Sequence, residues 1–273
     1  MNEFNLNSIS PIDGRYYNKT EVLSDYFSEK ALIFYRLKVE IEYFISLCNL
    51  GIPQLKNFDH TKFDKLRKIY LNFSNEDAIE VKRIEKITNH DVKAVEYFIK
   101  DKFEALNIGE FKEFIHFGLT SQDINNSAIP LSIKDFIDNV YMPKIQEVLS
   151  AIDDKCEELK DVTIIARTHG QAASPTKLGK EFKVFWTRIN EQIKSLKNIP
   201  NSAKFSGAVG NFNAHKVAYP EIDWKKFGKN FIENELGLNY SFPTTQIEHY
   251  DSFAALCDNC RRINNILLDM CVD

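Results

Sequence analysis

Residues 165–176 read Ile-Ala-Arg-Thr-His-Gly-Gln-Ala-Ala-Ser-Pro-Thr and separate two long segments whose apolar residues recur with a helical period. A connection between helices usually needs only turn and capping residues, whereas this one also carries several hydrogen-bonding side chains. Ser174 and Pro175 predict the start of the next helix, with Ser174 as its N-cap. His169, held between two rigid helices, is the first candidate for acid–base chemistry. The alternative is a polar loop with a surface histidine.

The segments on either side of this stretch predict long helices. Before it, residues 131–160 keep a nearly continuous apolar stripe, which Pro143 is expected to kink. After it, residues 176–198 predict a second long helix, and a last one starts near Asp251. Further helices are predicted from Ser28 to a stop at Gly51-Ile-Pro53, over 61–72, over 76–87, after Thr88 and over 223–236. No strand is expected, so the predicted fold class is all-α.

The order of these segments predicts two domains. Residues 1–110 would form an N-terminal helical domain, and residues 111–273 the first part of a central bundle of long helices. The last helix is still in phase at Asp273, and no Gly, Asn or Pro signals its end. We therefore expect the sequence to be cut inside a helix and the bundle to be incomplete.

The composition argues against several classes of protein. Apolar residues make up 44% and charged residues 27%, as in ordinary soluble proteins, and a net charge of -4 gives no basic footprint for nucleic acid. No apolar run approaches the ~18 residues of a membrane span, and Met1–Ser10 lacks the apolar region of a signal peptide, which predicts a cytoplasmic protein. The five cysteines lack regular spacing, and core packing explains Cys257 and Cys260 better than a metal or redox role.

Two further polar stretches lie at predicted helix starts. Thr88-Asn-His-Asp91 and Thr120-Ser-Gln-Asp123 have the spacing of a capping box with Asp in place of Glu. Free backbone N–H groups and the helix dipole favour anions at such positions. The second stretch leads into Asn125 and Asn126, poor helix formers that hint at a polar task facing inward. The alternative for the first stretch is that Asn89 and His90 belong to a cap that binds no ligand.

Two loops add further candidates. Ser10-Pro-Ile-Asp-Gly14 is turn chemistry that presents Arg15 and Tyr16. The guanidinium suits a phosphate or carboxylate, with an ordinary surface arginine as the alternative. The loop Ser206–Asn213 lacks the Gly-Lys-Ser/Thr of a P-loop, and its glycines predict tight turns near a site or an interface.

Five blocks of sequence, taken in order, resemble the adenylosuccinate lyase family, in its bacterial type, within the fumarase/aspartase superfamily. The blocks are Ser-Pro-Ile-Asp-Gly-Arg-Tyr (10–16), Thr-Asn-His-Asp-Val-Lys-Ala-Val-Glu-Tyr-Phe (88–98), Phe-Ile-His-Phe-Gly-Leu-Thr-Ser-Gln-Asp-Ile-Asn-Asn (114–126), Arg-Thr-His-Gly-Gln (167–171), and Tyr-Pro-Glu-Ile-Asp-Trp (219–224) with Thr-Thr-Gln-Ile-Glu (244–248). The resemblance implies an all-α homotetramer with active sites assembled from several subunits. It also implies β-elimination of fumarate from adenylosuccinate and from the succinylated aminoimidazole-carboxamide ribotide, with no metal or organic cofactor.

The resemblance implies roles for individual residues. His169 matches the general acid that protonates the departing nitrogen, a role suited to an imidazole near neutral pH. His90 matches a second site histidine, and its neighbours Asn89 and Asp91 are expected to bind substrate with it. The remaining matches are Thr120 and Ser121 for the succinyl carboxylates, Arg15 and Tyr16 for the nucleotide phosphate, and Gln246 for substrate binding.

Two rival hypotheses stay open at this point. A related lyase could act on another succinyl- or aspartate-bearing substrate such as argininosuccinate, although the Asp-Gly-Arg-Tyr and Asn-His-Asp blocks favour a nucleotide. A helical oligomerisation module could carry no chemistry at all. Polar residues gathered at three helix starts argue against that module, because a scaffold does not need them.

One departure from the superfamily generates a prediction. The signature loop Ser-Ser-x-Met-Pro-x-Lys-x-Asn, which carries the catalytic base serine, does not occur in the sequence and would follow Asp273. We expect the 273-residue chain alone to release no fumarate from adenylosuccinate, whereas a chain extended through this loop does. Release by both chains at the same rate would contradict the expectation and the role of the serine.

Overall fold

A computed structural model describes residues 7–273; residues 1–6, which hold much of the polar start Met1–Ser10, lie outside the described residues. The α-helices of this range are, in chain order, α1 (Tyr17–Thr20), α2 (Ser24–Phe27), α3 (Glu29–Leu50), α4 (Phe63–Leu71), α5 (Asn75–Thr88), α6 (Asp91–Ala105), α7 (Ser121–Phe136), α8 (Met142–Glu158), α9 (Leu178–Lys197), α10 (Asn213–Ala218), α11 (Trp224–Asn230) and α12 (Asp251–Val272). The strands are β1 (Thr163–Thr168), β2 (Gln171–Lys177), β3 (Ser202–Ala203) and β4 (Asn239–Tyr240). None of the described helices is long and apolar enough to cross a membrane. The predicted all-α class is confirmed.

The helix ends follow the local sequence closely. Gly51 ends α3 in the left-handed conformation, as the predicted stop requires. The predicted helix over 131–160 is helical throughout 131–158, as the end of α7, a π-helical turn at Ile137–Tyr141 and α8. Tyr141 keeps right-handed helical φ and ψ angles, and Pro143 follows the π-helical turn as the second residue of α8. The irregularity that Pro143 predicts is therefore this π-helical turn, directly before α8.

The expectation that the chain has no strand is wrong at the stretch around His169. β1 and β2 form an antiparallel hairpin closed by His169 and Gly170, whose φ angles are 52° and 72°. Positive φ at both turn residues suits the twist of a two-residue hairpin. Ser174 and Pro175 lie in β2, so neither starts a helix, and α9 begins after both. The strands are largely exposed on both faces, so they lack the apolar alternation that predicts a strand.

The described chain divides into two compact units. The first contains residues up to Phe136 together with Ser202–His249, and the second contains Ile137–Asn201 together with Tyr250–Asp273. The predicted domains, 1–110 and 111–273, are a division along the sequence, whereas the two units are defined by contacts in space. That division stays a prediction.

The core of the first unit surrounds α3. Leu37 and Val39 lie on opposite sides of this helix, and both are completely buried. Tyr43 is also completely buried and packs edge-on against the rings of Phe205 and Phe231. A helix that is buried all round occupies the centre of its unit, so elements attached to α3 have a rigid support.

The second unit is built from α8, α9, α12 and the hairpin. The helices bury one shared apolar cluster, Ile145, Leu149, Ile152, Cys156, Ile189, Ile193, Ile263 and Ile266. α8 and α9 approach closely at Gly179, where a Cβ atom would overlap the carbonyl oxygen of Cys156. Cys260 is half-buried but Cys257 is exposed, so core packing explains only Cys260.

His215 of α10 is a completely buried histidine in the first unit. Its Nε2 lies 3.0 Å from the Tyr43 hydroxyl, which donates its own hydrogen to the carbonyl oxygen of Phe117 at 2.7 Å. Nε2 therefore carries the ring hydrogen, and Nδ1 has no hydrogen-bond partner among residues 7–273. Burial lowers the pKa of His215 to about 4, against the attraction of Asp123. The ring is neutral at pH 7.

We expect the cost of His215→Gln to depend on pH. The unfolded chain, with a histidine pKa of about 6.5, takes up the proton before the folded chain does. The stability that the neutral ring contributes is therefore complete above that pKa and is lost as the pH falls toward 4. The loss in free energy of unfolding should be about 2–3 kcal/mol larger at pH 7 than at pH 4.5.

Urea unfolding of both proteins at the two pH values measures this difference, with the exposed-site variant His60→Gln as the control. An equal cost of His215→Gln at both pH values would contradict a neutral buried ring.

Candidate functional site

The junction of α5 and α6 presents His90. Asn89 ends α5 in the left-handed conformation, so Thr88 is the last residue of α5 and not the cap that the sequence predicts. His90 is the N-cap of α6 instead, and its Nδ1 accepts the backbone N–H of Lys93 at 3.1 Å. This bond assigns the hydrogen of the neutral ring to Nε2. Since the side chain is half-exposed, Nε2 is placed to donate to a ligand.

Asp91, the first residue of α6, is held by a buried arginine of α3. The Nη2 of Arg36 donates to Oδ2 of Asp91 at 2.6 Å, and its Nε donates to Oδ1 of Asn125 in α7 at 2.9 Å. Burial alone would raise the pKa of Asp91, but the Arg36 charge and the Val92 N–H hold this pKa below its ordinary value. Arg36 thus ties the starts of α6 and α7 to the same helix.

An open cavity of about 740 Å³ lies beside this junction. Its lining residues are Glu29, Leu32, Arg36, Lys82, Glu85, Lys86, Asn89, His90 and Asp91. Lys82 pairs with both glutamates of this set, at 2.9 Å and 2.6 Å. The volume suits a nucleotide-sized ligand, and the lining carries three cations and three carboxylates, so its charges balance. Within residues 7–273, no group of three or more His, Cys, Asp or Glu side chains could hold a metal ion.

The start of α7 places Thr120 and Ser121. Ser121 is the first residue of the helix, and the backbone N–H of Thr120 donates to Oδ2 of Asp123 at 2.8 Å. This bond is one half of the predicted capping box. The Thr120 amide therefore already has an acceptor within the protein. An anion at this helix start would contact the hydroxyls of Thr120 and Ser121 and the backbone amides of the first turn.

Asp123 is also one partner of a completely buried ion pair. Its Oδ1 accepts from Nζ of Lys204 at 2.6 Å and from the backbone N–H groups of Ser206 and Gly207 at 2.8 Å and 3.0 Å. Lys204 donates a second bond to the carbonyl oxygen of Gly207 at 2.6 Å. Burial lowers the pKa of Lys204, and Asp123 opposes this shift. The pair fixes the loop after β3 to the start of α7.

The loop after β4 docks on the same end of α7. Gln246 donates from Nε2 to the Thr120 hydroxyl at 3.5 Å. The backbone N–H of Glu248 donates to Oδ1 of Asn126 at 2.9 Å, and Asn126 is buried. The inward polar task predicted for the paired asparagines is therefore confirmed at Asn126. The structure brings Gln246 to Thr120, as their shared predicted role requires.

The loop Ser206–Asn213 packs against this segment. Gly207 and Gly210 both have positive φ, which confirms the predicted tight turns. A Cβ atom on Gly210 would overlap the carbonyl oxygen of Thr244, and the hydroxyl of Thr244 lies 3.2 Å from that of Ser206. Close backbone approach therefore requires glycine at 210.

Arg15 and Tyr16 follow the turn that the sequence predicts. The N–H of Gly14 donates to the Ser10 carbonyl at 3.0 Å, and that of Tyr16 donates to the Pro11 carbonyl at 2.9 Å. Both candidate side chains are exposed, and the guanidinium lies 5.7 Å from the tyrosine ring centroid. Within the described residues, their side chains make no hydrogen bond or ion pair with the other candidates.

His169 belongs to the second unit, whereas the other candidates belong to the first. It occupies the tip of the β1–β2 hairpin and is exposed. Its ring makes no hydrogen bond to another described residue of its unit. The two-residue turn of this hairpin exposes the imidazole to solvent.

Two buried cations were missed from the sequence. Arg36 lies four residues after Leu32 and three before Val39, inside a predicted apolar stripe, and this placement was a usable signal. Lys204 stands singly between Ala203 and Phe205 and gives no comparable signal. Its partner, Asp123, lies 81 residues earlier in the chain, so a pattern of neighbouring residues could not predict the pair.

Comparisons with known proteins match the chain along nearly all of its length. It matches the lyase family over residues 14–273. An adenylosuccinate lyase of Dictyostelium discoideum is 52% identical over 98% of this chain and 59% of its own length. An adenylosuccinate lyase of Legionella pneumophila (strain Corby) is 48% identical over 98% of this chain and 59% of its own. The chain therefore spans about 59% of the length of these curated relatives.

Solved structures share the fold. A fumarate lyase from Mesorhizobium sp. BNC1 superposes with a TM-score of 0.73 at 19% sequence identity, covering 92% of this chain and 57% of that chain. At this identity the likeness concerns the fold alone. It confirms the helical architecture that the sequence predicts.

Removing one partner of the buried pair should be costly. Asp123→Asn leaves Lys204 buried without a countercharge, and we expect it to lower the free energy of unfolding by about 3–5 kcal/mol. Adding Lys204→Met should recover part of this loss, because it removes the buried charge. Urea unfolding of the two single variants and the double variant measures both effects.

The exposed pair of Asp153 and Lys183 provides the control, since Asp153→Asn should cost less than about 1 kcal/mol. A loss no larger than this in Asp123→Asn would show that the buried pair is not what fastens the start of α7.

Proposed function

The chain belongs to the lyase family, and from this premise we propose that the whole protein is an adenylosuccinate lyase, a carbon–nitrogen lyase of purine nucleotide biosynthesis. It would eliminate fumarate from adenylosuccinate, giving AMP, and from the succinylated aminoimidazole-carboxamide ribotide. One observation carries the proposal: the stretches around His90 and Thr120 both stand at helix starts in one unit, where Arg36 links them. An elimination that builds charge on a carboxylate needs donors gathered in this way.

The chemistry explains why donors are needed. A base removes a proton from the carbon beside a carboxylate, negative charge accumulates on that carboxylate, and an acid protonates the departing nitrogen. Thr120 and Ser121, with the free amides of the first turn of α7, would bind the carboxylate and stabilise the added charge. Gln246, hydrogen-bonded to Thr120, would complete the carboxylate contacts.

The two histidines take different roles in this proposal. His169 is the general acid, and its place on an exposed hairpin tip supports a group that meets its partners only when the site is assembled. His90 contacts the substrate as a donor through Nε2, because Nδ1 is occupied by the Lys93 amide. In this proposal side chains carry out the proton transfers that accompany cleavage of the C–N bond, and no metal or organic cofactor is assigned.

The nucleotide part of the substrate would use the remaining candidates. The cavity beside Asn89, His90 and Asp91 has the volume for a nucleotide-sized ligand, and polar and charged side chains line it. Arg15 and Tyr16 would contact the phosphate, with a guanidinium and a ring side by side on an ordered turn. The partner is thus a small nucleotide, and neither nucleic acid nor a membrane takes part.

We also propose that the whole protein is a cytoplasmic homotetramer with active sites shared between subunits. The support is the exposure of His169 at the tip of its hairpin, where residues of another subunit could reach it. A second candidate substrate, argininosuccinate, has no observation in its favour, since the relatives reported above are adenylosuccinate lyases.

His169→Gln in the whole protein should lower kcat for adenylosuccinate by roughly 10²- to 10⁴-fold with little change in KM, the loss typical of a missing general acid. The initial rate of fumarate release, measured over a range of adenylosuccinate concentrations, gives both constants. The control is His60→Gln, because His60 is exposed and lies outside the candidate site.

Unchanged kcat in His169→Gln would remove this residue from the mechanism. Failure of the unsubstituted protein to release fumarate from either proposed substrate, or turnover of argininosuccinate instead, would overturn the proposed function.

A further inference from the structure

One face of α3 carries three buried polar side chains. Arg36, Glu40 and Tyr43 follow at intervals of four and three residues and therefore share a face of the helix. The helix lies in the core of the first unit, and its other buried residues are apolar except Glu42. Burying a charged or polar side chain costs free energy unless it has partners, so the partners of this face indicate its task.

Glu40 holds the turn that leads to Thr120. Its Oε1 lies 2.6 Å from Nδ1 of His116, the glutamate side chain is completely buried, and its Oε2 has no hydrogen-bond partner among the described residues. His116 adopts the left-handed conformation with φ 58°, and its carbonyl accepts the N–H of Leu119 at 3.2 Å. A strained residue and a half-satisfied buried carboxylate are both costly, which points to a positional requirement.

Tyr43 contacts the same turn at Phe117, the residue after His116. Its hydroxyl donates to the carbonyl of Phe117 at 2.7 Å and is itself backed by Nε2 of His215 at 3.0 Å. Gly118 lies so close to this pair that a Cβ atom there would be 2.8 Å from the His215 ring. The turn over residues 116–119 thus packs closely against the buried side chains of Tyr43 and His215.

Arg36 connects the same face of α3 to the segment that carries His90. It binds Asp91, next to His90, and Asn125 in the first turns of α7. One helix face therefore contacts two of the segments that carry proposed substrate-binding residues of the first unit, the start of α6 and the segment that leads into α7. None of its three side chains belongs to the motifs that bind substrate by resemblance.

We propose that the buried polar face of α3 is a positioning element, in which Arg36, Glu40 and Tyr43 fix the start of α7 relative to His90. This inference rests on the proposed function, because it assigns these three side chains to the geometry of that site. They act through His116, the Phe117 carbonyl and Asp91 and do not touch the reacting atoms.

A purely structural role makes a different prediction, and the chain offers matched controls. Glu42 is a buried carboxylate on another face of α3, and it accepts hydrogen bonds from Nε and Nη2 of Arg67, each at 2.9 Å, and from the Tyr70 hydroxyl at 2.7 Å. Glu42→Gln and Tyr70→Phe therefore remove a buried charge and a buried hydroxyl from α3 packing without touching the segments at Thr120 or His90.

The test compares Glu40→Gln with Glu42→Gln and Tyr43→Phe with Tyr70→Phe in the whole protein. We expect Glu40→Gln and Tyr43→Phe to lower kcat for adenylosuccinate by roughly 10- to 100-fold, with a much smaller change in KM, because a slightly displaced helix start misaligns the groups that stabilise the transition state. The two control variants should keep the kcat of the unsubstituted protein. Equal losses in each matched pair, or no loss in any variant, would overturn the proposal.

Hydrogen exchange provides a readout that does not need activity. The backbone amides of residues 117–121 should exchange at least tenfold faster in Tyr43→Phe than in the unsubstituted protein and in Tyr70→Phe. If the unsubstituted protein releases no fumarate, the proposed function fails, and exchange alone then decides whether α3 positions this turn. Unchanged exchange would overturn the positioning role whether or not the protein is active.

Discussion

A completely buried carboxylate, Asp123, is the constraint on which the candidate site of the first unit depends. It accepts the Thr120 amide through one oxygen and Lys204 with two loop amides through the other. Because burial is costly for an ion unless several donors surround it, this arrangement tolerates few alternatives. The start of α7 and the loop after β3 are therefore held together. The buried face of α3 contacts the same region through His116, the Phe117 carbonyl and Asn125.

The sequence predicted the helices and the polar stretches at their starts, because both depend on local patterns. It predicted the inward role of Asn126 for the same reason, since a poor helix former inside a regular helix is a local inconsistency. It failed at the hairpin, where exposed strands show no apolar alternation, and at Thr88, because His90 is the side chain that caps α6. Arg36 with Asp91 and Asp123 with Lys204 are pairs made by the fold across long separations, so their geometry was beyond any pattern of neighbours.

The proposed chemistry divides its tasks between two kinds of structure. Carboxylate binding falls to helix starts anchored by buried ion pairs, where amides and hydroxyls are oriented before a ligand arrives. Proton delivery falls to His169 on a narrow ribbon, where the imidazole projects from its unit. A rigid anion site with a projecting acid suits a reaction in which charge builds on a carboxylate while a nitrogen departs from the carbon next to the one that loses its proton.

A crystal structure of the whole protein carrying His169→Gln, with adenylosuccinate bound, tests the central claim most directly. The account predicts a succinyl carboxylate within hydrogen-bonding distance of Thr120 and Ser121 at the start of α7, with His90 against the same ligand. A substrate bound away from both helix starts would contradict the account, whatever the activity of the protein.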